Sequence, residues 1–266
     1  MTDGAPGYLH GHHASVLRSH RWRTAENSAA FLLPRLRQGM RLLDVGCGPA
    51  TITDELDRRL GRGGVSGIDA DQGVIAAARA EYPHLDLAVG DVMDLTFDDG
   101  TFDVVYAHQV LQHLADPVGA LREMYRVLRP SGTVAVRDSI YASKAWAPDD
   151  DLLVRWNRLY HDVARHAGGE PDAGRYLLDW VTTAGFVEPV VTSSTWTFAD
   201  DETRRWWGGL WAERVVDSAF ATRAVDAGLS NRVELEAIAG AFRRWADSPT
   251  GVFIVVLGEV LALRPS

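Results

Sequence analysis

The chain of 266 residues is 46% apolar and 24% charged, with 25 Gly and 11 Pro, which excludes disordered and fibrous classes and allows one large core with an attached cap. With 27 Lys and Arg against 36 Asp and Glu, its formal charge of −9 has the wrong sign for tracking a phosphate backbone or an anionic membrane surface, so neither nucleic acid nor membrane is an expected partner. A single cysteine, Cys47, makes no internal disulfide and no CxxC pair, and the opening MTDGAPGYLH lacks the basic-then-apolar order of a secretory signal; both place the chain in the cytoplasm.

In chain order, RLLDV (41–45) is a short apolar strand entering a glycine-rich turn, and Ile52, Leu56 and Leu60 then line one helical face that Gly61 ends. GVSGID (64–69) reads as a second strand, Asp71 as the cap of an Ala-rich helix through Ala80, and Leu85, Leu87 and Val89 alternate as a third strand. FDVVYA (102–107) is a fourth. Asp116 and Pro117 supply a cap and a first-turn proline for a helix carrying Leu121, Met124, Tyr125 and Leu128, after which RPSG turns the chain into a fifth strand, TVAVRD (133–138). Strands alternating with helices imply a largely parallel sheet covered on both faces.

Beyond residue 140 the pattern changes. Leu152, Leu153, Trp156, Leu159, Tyr160 and Val163 share a helical face, and a second helix carries Tyr176, Leu177, Trp180 and Val181 toward Gly185. A β-rich stretch at 186–198 precedes two helical pieces, one with Trp206, Leu210 and Trp211, the other with Leu235, Ile238, Phe242 and Trp245 behind a Ser230 cap. The last apolar run, 251–264, contains Gly258 and Glu259 and is shorter than the roughly 20 residues of a membrane helix, so 252–263 is read as a strand. Eight of the nine Trp lie after residue 145. Aromatics at helical spacing are core first, with one or two expected to face an aromatic or heterocyclic ligand.

The turn Asp44-Val45-Gly46-Cys47-Gly48-Pro49-Ala50-Thr51 carries the chemistry. Glycines at 46 and 48 permit a sharp turn and close approach of a ligand at a helix N-terminus. A dinucleotide fingerprint would place a third glycine at 51, where Thr51 stands, and Pro49 removes a donor, so the turn suits a nucleoside without phosphates. Taken alone the turn is equally an ordinary strand–helix connection. Asp69, ending the second strand, adds a carboxylate for both ribose hydroxyls, and Asp91 in VGDVMDL adds one for an exocyclic amine, with Val92 against the ring face.

LLDVGCGPA, GIDAD (67–71), GDVMDLTF (90–97), FDVVYAHQVLQHLADP (102–117) and LREMYRVLRPSG (121–132) resemble, in order and spacing, the successive motifs of class I S-adenosylmethionine-dependent methyltransferases. The small-molecule branch that includes quinone-biosynthesis enzymes is the nearest in pattern. The segment VLRSHRWRTAENSAAFLLP (16–34) is also similar to microbial natural-product methyltransferases that S-methylate dithiols such as reduced gliotoxin. The resemblance implies an α/β fold, a doubly wound, mostly parallel seven-stranded Rossmann-like sheet with helical cap insertions. It implies three regions: a helical cap over the cofactor (1–36), a cofactor-binding core (37–140), and a completion of the sheet (141–266) with substrate-cap insertions near 141–170 and 200–250.

Residue by residue, the resemblance lays Gly46, Cys47 and Gly48 against the methionine and ribose of S-adenosylmethionine, with Cys47 a small filler. It puts Asp69 and Ala70 at the ribose, Asp91 and Val92 at the adenine, and His108 and Gln109 at the methionine end. Tyr8, Trp22 and Arg23 are candidates to close the pocket, Arg23 by pairing the methionine carboxylate or, equally, as an ordinary exposed helix residue. His113 is either a base or orienter of the acceptor, or a histidine packing the next helix. His10, His12 and His13 form an HxHH cluster with no carboxylate or cysteine at ligand spacing, and no metal is expected. The expected reaction is methyl transfer to a small-molecule acceptor, with sulfur ahead of oxygen, nitrogen and carbon, since a thiol is already partly ionised near neutrality. A dinucleotide-dependent oxidoreductase and a non-catalytic cofactor-binding regulator are the alternatives, and the sequence fixes no oligomeric state.

Overall fold

A computed structural model describes residues 14–266, with the side chains of 14–17 left aside; Tyr8 and the His10, His12, His13 cluster lie outside the described residues. Two N-terminal helices, α1 (Ala14–Arg21) and α2 (Ala25–Ser28), precede the sheet. The cofactor half then runs β1 (Leu42–Val45), α3 (Thr51–Leu60), β2 (Val65–Asp69), α4 (Gln72–Glu81), β3 (Asp86–Val89), β4 (Phe102–His108), α5 (Pro117–Val127) and β5 (Leu128–Ala147). The remainder is α6 (Asp151–His166), α7 (Leu177–Thr183), β6 (Val187–Phe198), α8 (Asp201–Asp217), α9 (Ala219–Asp226), α10 (Arg232–Asp247) and β7 (Val252–Leu263).

The seven strands form one sheet in the order β3-β2-β1-β4-β5-β7-β6, parallel from β3 to β5, with β7 antiparallel to both of its neighbours. Alternation along β1 divides the core. Leu43 and Val45 face a layer with Leu121 and Met124 of α5 and Leu177 and Val181 of α7, whereas Leu42 faces Ile52, Leu56 and Leu60 of α3. The helices begin where the sequence places caps: Asp71 Oδ1 accepts from Val74 N at 2.8 Å and Asp116 Oδ1 from Gly119 N at 2.7 Å. For α10 the cap is corrected. Asn231 accepts from Glu234 N at 2.9 Å, while Ser230 donates its hydroxyl to the Glu234 carboxylate.

The fifth strand differs most from its expected bounds. It spans 20 residues, absorbing the RPSG segment at one end, where Ser131 takes a φ of 61°, and reaching Ala147 at the other. The helical part of the first insertion therefore begins at Asp151. The physical reason is β7, whose partners extend from Leu263 opposite Thr133 to Val252 opposite Ala147, so a long reversed strand draws β5 out with it. On the extended ends of β5, β6 and β7 sits a second apolar cluster built from α6, α8, α9 and α10. Trp156 is its centre, meeting Trp211 at 4.6 Å and Phe242 at 5.0 Å between ring centroids, both edge to face. Trp156, Trp211 and Trp245 are thus core, as aromatics at helical spacing are expected to be.

The turn Ala173–Arg175 passes so close to β7 that a Cβ on Gly258 would run into the backbone carbonyl of Gly174. Gly258→Ala is expected to destabilise the fold by about 1–3 kcal/mol through overpacking against backbone that has no rotamer to change. Denaturant unfolding measures it, and an unchanged midpoint would contradict that packing.

Candidate functional site

The chain leaves β1 through Gly46 at φ 68° and Gly48 at φ 55°, and the absent side chain of Gly46 is used: a Cβ there would lie 2.5 Å from Val110 Cγ2. Across this turn, at the carboxyl ends of β1 and β4, is a cavity of about 440 Å3. Its floor is the segment 46–49, one wall carries Asp69, Asp71, Asp91 and Val92, the facing wall His108, Gln109 and Val110, and His20 and Arg23 contribute from the N-terminal segment.

Asp69 is held from both sides. Its Oδ2 accepts from Gly48 N and its Oδ1 from Asp71 N, each at 3.0 Å, so the carboxylate is fixed in orientation with further acceptor capacity left over. Ala70 beside it is exposed on the cavity wall. Asp91 Oδ1 accepts from Met93 N at 2.9 Å on an exposed rim, and Val92 next to it is buried in the core layer. Cys47 is buried under Gly67; burial first, then Asp44 and Asp69, push its thiol well above the usual range, so it stays protonated.

Gln109 is the hinge of the facing wall. It takes a φ of 56°, uncommon without a glycine, and is fixed by its backbone N donating to Arg137 O at 2.7 Å. Its side chain accepts from Arg23 at 2.5 Å and donates to Ser139 Oγ at 3.1 Å. The ring of His108 is buried between Tyr106 and Trp196, and burial, with Arg23 and Arg137 nearby, holds its pKa well below the usual histidine range. Its Nε2, buried, has no hydrogen-bond partner among the described residues, an orphaned polar atom on a residue that lines the cavity.

His113 also lines the cavity, at the end near Leu114. Its Nε2 lies 3.0 Å from Gln112 Nε2, and desolvation, then Arg23 and Arg223, depress its pKa to about 3. Trp22 does not line this cavity; it packs on Trp196, Phe198 and Trp206 instead. Two lining residues escape a reading of the sequence. His20 comes from α1, which folds back over the turn so that its ring nitrogen would lie 3.6 Å from a Cβ on Gly48. Asp44 is buried at the end of β1, accepts from Thr53 Oγ1 at 2.7 Å, and burial raises its pKa to about 7. Its position before the glycine turn is the signal that marks it. Among the described residues no His, Cys, Asp and Glu cluster suits a metal ion, and no helix is long and apolar enough to cross a membrane.

A crevice at the point where a doubly wound sheet reverses strand order, with a reversed seventh strand inserted beside the sixth, is the arrangement of Rossmann-like methyltransferases. Residues 43–136 match the methyltransferase domain family. An uncharacterized methyltransferase of Schizosaccharomyces pombe is 33% identical over 96% of this chain and 95% of its own length, and the chain belongs to the S-adenosylmethionine-dependent methyltransferase family. Demethylmenaquinone methyltransferase of Staphylococcus epidermidis is 37% identical over a shorter stretch, 37% of this chain and 43% of that protein. Two solved structures share the fold at lower identity. The cyclase SpnF aligns with TM-score 0.55 and 22% identity over 99% of this chain and 86% of its own. The Haemonchus contortus phosphoethanolamine N-methyltransferase 2 bound to S-adenosylhomocysteine gives 0.54 and 15% over 89% of this chain and 52% of its own.

S-adenosylmethionine is the cofactor, and the cavity fits it: glycines where side chains would intrude, an oriented carboxylate on one wall and a histidine with an orphaned imidazole nitrogen on the other. Because this ligand is cationic, its binding favours the charged form of Asp44 and lowers a pKa that stands near 7 without it. Near pH 6.5 binding is expected to release a fraction of a proton, vanishing above pH 9 and in Asp44→Asn. Calorimetry in two buffers of different ionisation enthalpy measures the release; none at pH 6.5 would rule the coupling out.

Proposed function

We propose that the enzyme methylates a thiol on a small metabolite, in specialised metabolism, within a reducing compartment such as the cytoplasm. S-adenosylmethionine supplies an electrophilic methyl group, and the residues of this chain bind it, shield it and choose the acceptor. In this reading Asp69 with Ala70 takes the ribose and Asp91 with Val92 the adenine. Gly46, Cys47 and Gly48 lie under the methionine and ribose, and His108 and Gln109 face the methionine end. Arg23, already turned into the cavity, pairs the methionine carboxylate, and the N-terminal region to residue 36 is the cap that keeps water out.

The observation that supports a thiol is electrostatic. On the acceptor side of Gln109 the lining residues include two guanidinium cations, Arg23 and Arg214, the amine of Lys144, and no carboxylate. Such walls favour a nucleophile that reacts as an anion and disfavour an amine that arrives protonated. A thiol, with a free pKa of about 8.5, ionises there at least cost among common acceptors. A phenol is the second reading, favoured by the indole-lined walls. The family match over 43–136 covers the cofactor half alone and bears on neither choice.

His113 is a poor proton acceptor with its pKa near 3, and it stands on the cofactor side. His113→Ala is expected to lower kcat by about tenfold or less, short of the roughly 10²–10⁴ that follows loss of a general base. Steady-state kinetics across thiols, phenols and amines checks both statements. Turnover confined to phenols with a hundredfold His113 defect would overturn the thiol assignment. Asp69→Ala, in turn, is expected to weaken S-adenosylmethionine binding by about 1.5–3 kcal/mol, the range for a hydrogen bond to a charged group. Unchanged affinity in a folded variant would remove Asp69 from the ribose.

A further inference from the structure

Behind Gln109 and Arg23, which border both spaces, lies a second chamber of about 30 Å3, a volume suited to one small polar group. Its wall is aromatic, with Trp196, Trp207 and Trp211 buried and Trp22 and Trp206 half-buried on the outer side. One aliphatic amine enters it. Lys144 lies on β5, where pairing with β7 loses register between Ile140 and Ala145. In a regular strand Tyr141 and Lys144, three apart, would point to opposite faces; across this irregularity both are buried on the cap side. A defect in the ladder thus turns a lysine, which would otherwise sit in solvent, into the cluster.

The Lys144 ammonium nitrogen meets ring faces, not a hydrogen-bond acceptor, among the described residues. It lies over the ring of Tyr141 and 5.3, 5.7 and 5.4 Å from the ring centroids of Trp156, Tyr160 and Trp211. The charged and titratable groups facing it are Arg214 from α8, Arg23 from the N-terminal segment, Tyr141 beside it, Tyr160 on α6, and Asp172 ahead of the 173–175 turn. Asp172 is already engaged by His161 Nε2 at 3.0 Å and Ala142 N at 2.7 Å. On the same wall the indole N–H of Trp207, buried, has no partner among the described residues. An amine without an acceptor and a donor without a partner, around a space that shares Gln109 and Arg23 with the cofactor cavity, form a site built for a ligand atom that gives up a proton and accepts a hydrogen bond.

We propose, resting on the methyl-transfer reading, that this chamber receives the reacting S–H or O–H of the acceptor and that Lys144 takes its proton. The S–H or O–H bond breaks, its electron pair stays on sulfur or oxygen, and the proton adds to the lone pair of the lysine nitrogen. Trp207 then donates to the anion, and the new ammonium pairs with it until the anion is consumed by methylation, when the proton passes to water. Burial, strengthened by Arg214 and opposed by Asp172, holds Lys144 well below the usual ammonium range, which supplies the neutral amine this step needs. The carbon skeleton lies toward Trp22 and Trp206, where the wall is half-exposed.

The test uses the full chain with S-adenosylhomocysteine bound, and 4-nitrophenol and 4-nitrobenzenethiol as probes whose absorbance reports ionisation. In the wild type the bound probe is expected to ionise at least one pH unit lower than when free, a tenfold shift, and Lys144→Met is expected to abolish it. Methionine keeps an apolar stem in the aromatic cluster, and S-adenosylmethionine affinity within twofold of wild type confirms an intact fold. In turnover, Lys144→Met should lose about 10²–10⁴ in kcat at pH 7 and recover as pH approaches the acceptor's own pKa. Failure of either probe to bind, or an equal shift in both proteins, overturns the proposal. Thiol turnover with an unchanged kcat and pH profile in Lys144→Met also overturns it and leaves thiol methylation standing. Ionisation of the probe by the wild type alone, without turnover of any thiol, retains Lys144 and removes the thiol.

Discussion

From β1 and β4, neighbouring parallel strands, the chain departs to opposite sides, into α3 on one face and α5 on the other, and neither connection can fill the gap between them. Both exits use backbone with positive φ, at Gly46 and at Gln109, which keeps the two turns low and the crevice open. For Gly46 the conformation costs little. For Gln109 it costs about 1–3 kcal/mol, and the bonds to Arg137, Arg23 and Ser139 hold it there. The strained residue is, with Arg23, one of the two shared by the cofactor cavity and the aromatic chamber, so the cost is located at the junction between them.

Two ways of burying a cation stand side by side near this junction. Arg137 is fully buried but matched: Nε donates to Glu259 at 3.0 Å, its terminal nitrogen to Ser194 Oγ at 2.9 Å, and Ser194 and Thr192 complete the Glu259 carboxylate. That network ties β5, β7 and β6 together at the level where the sheet meets the cap, and the geometry offsets the several kcal/mol of desolvation per ion that burial imposes. Lys144, a few residues further along the same strand, has ring faces in place of a carboxylate. Cation–π attraction of about 2 kcal/mol when desolvated does not cover an equal desolvation cost, so burial lowers the proton affinity of the lysine well below the usual ammonium range, while the arginine has a carboxylate partner that opposes the same effect.

The cofactor half was legible because its signals are local. Strand, glycine turn, capped helix and terminal acid follow one another within about thirty residues, and Asp71 and Asp116 cap through neighbours three residues on. The helical insertions beyond residue 140 were legible only as helical periodicity. Ser230 and Asn231 are adjacent and both polar, and backbone geometry, which composition does not carry, chooses between them. Lys144 sits in SKAWAPDD, inside the stretch near 141–170 that reads as a helical insertion, and its partners at 211 and 214 are far away in sequence. His20 likewise reaches the cavity only because α1 lies against α8, through Arg18 to Glu213 and Arg214 to Ser19, whereas the resemblance alone puts Arg23 there. Long-range placement of single polar side chains has no period to detect.

This division bears on what the fold decides. SpnF shares the architecture of this chain and is a cyclase, so the sheet and its crevice do not by themselves fix the reaction. In this chain the matched domain ends at residue 136, before Ser139, Tyr141 and Lys144, and the rest of the chamber comes from β6, β7, α8 and the N-terminal segment. In the proposed reading, the walls that meet the acceptor therefore come mostly from other segments of the chain than those that meet the cofactor, with the N-terminal segment and Gln109 contributing to both. Substitutions among the indoles or at Lys144 alter polarity and proton affinity on one side of that junction, while on the other Asp69 keeps its backbone donors at Gly48 and Asp71, and Asp44 its bond from Thr53. If the proposed chamber does receive the acceptor, the two requirements of the reaction, a held cofactor and a chosen nucleophile, rest mostly on different parts of the chain, and a change of acceptor need not disturb the cofactor.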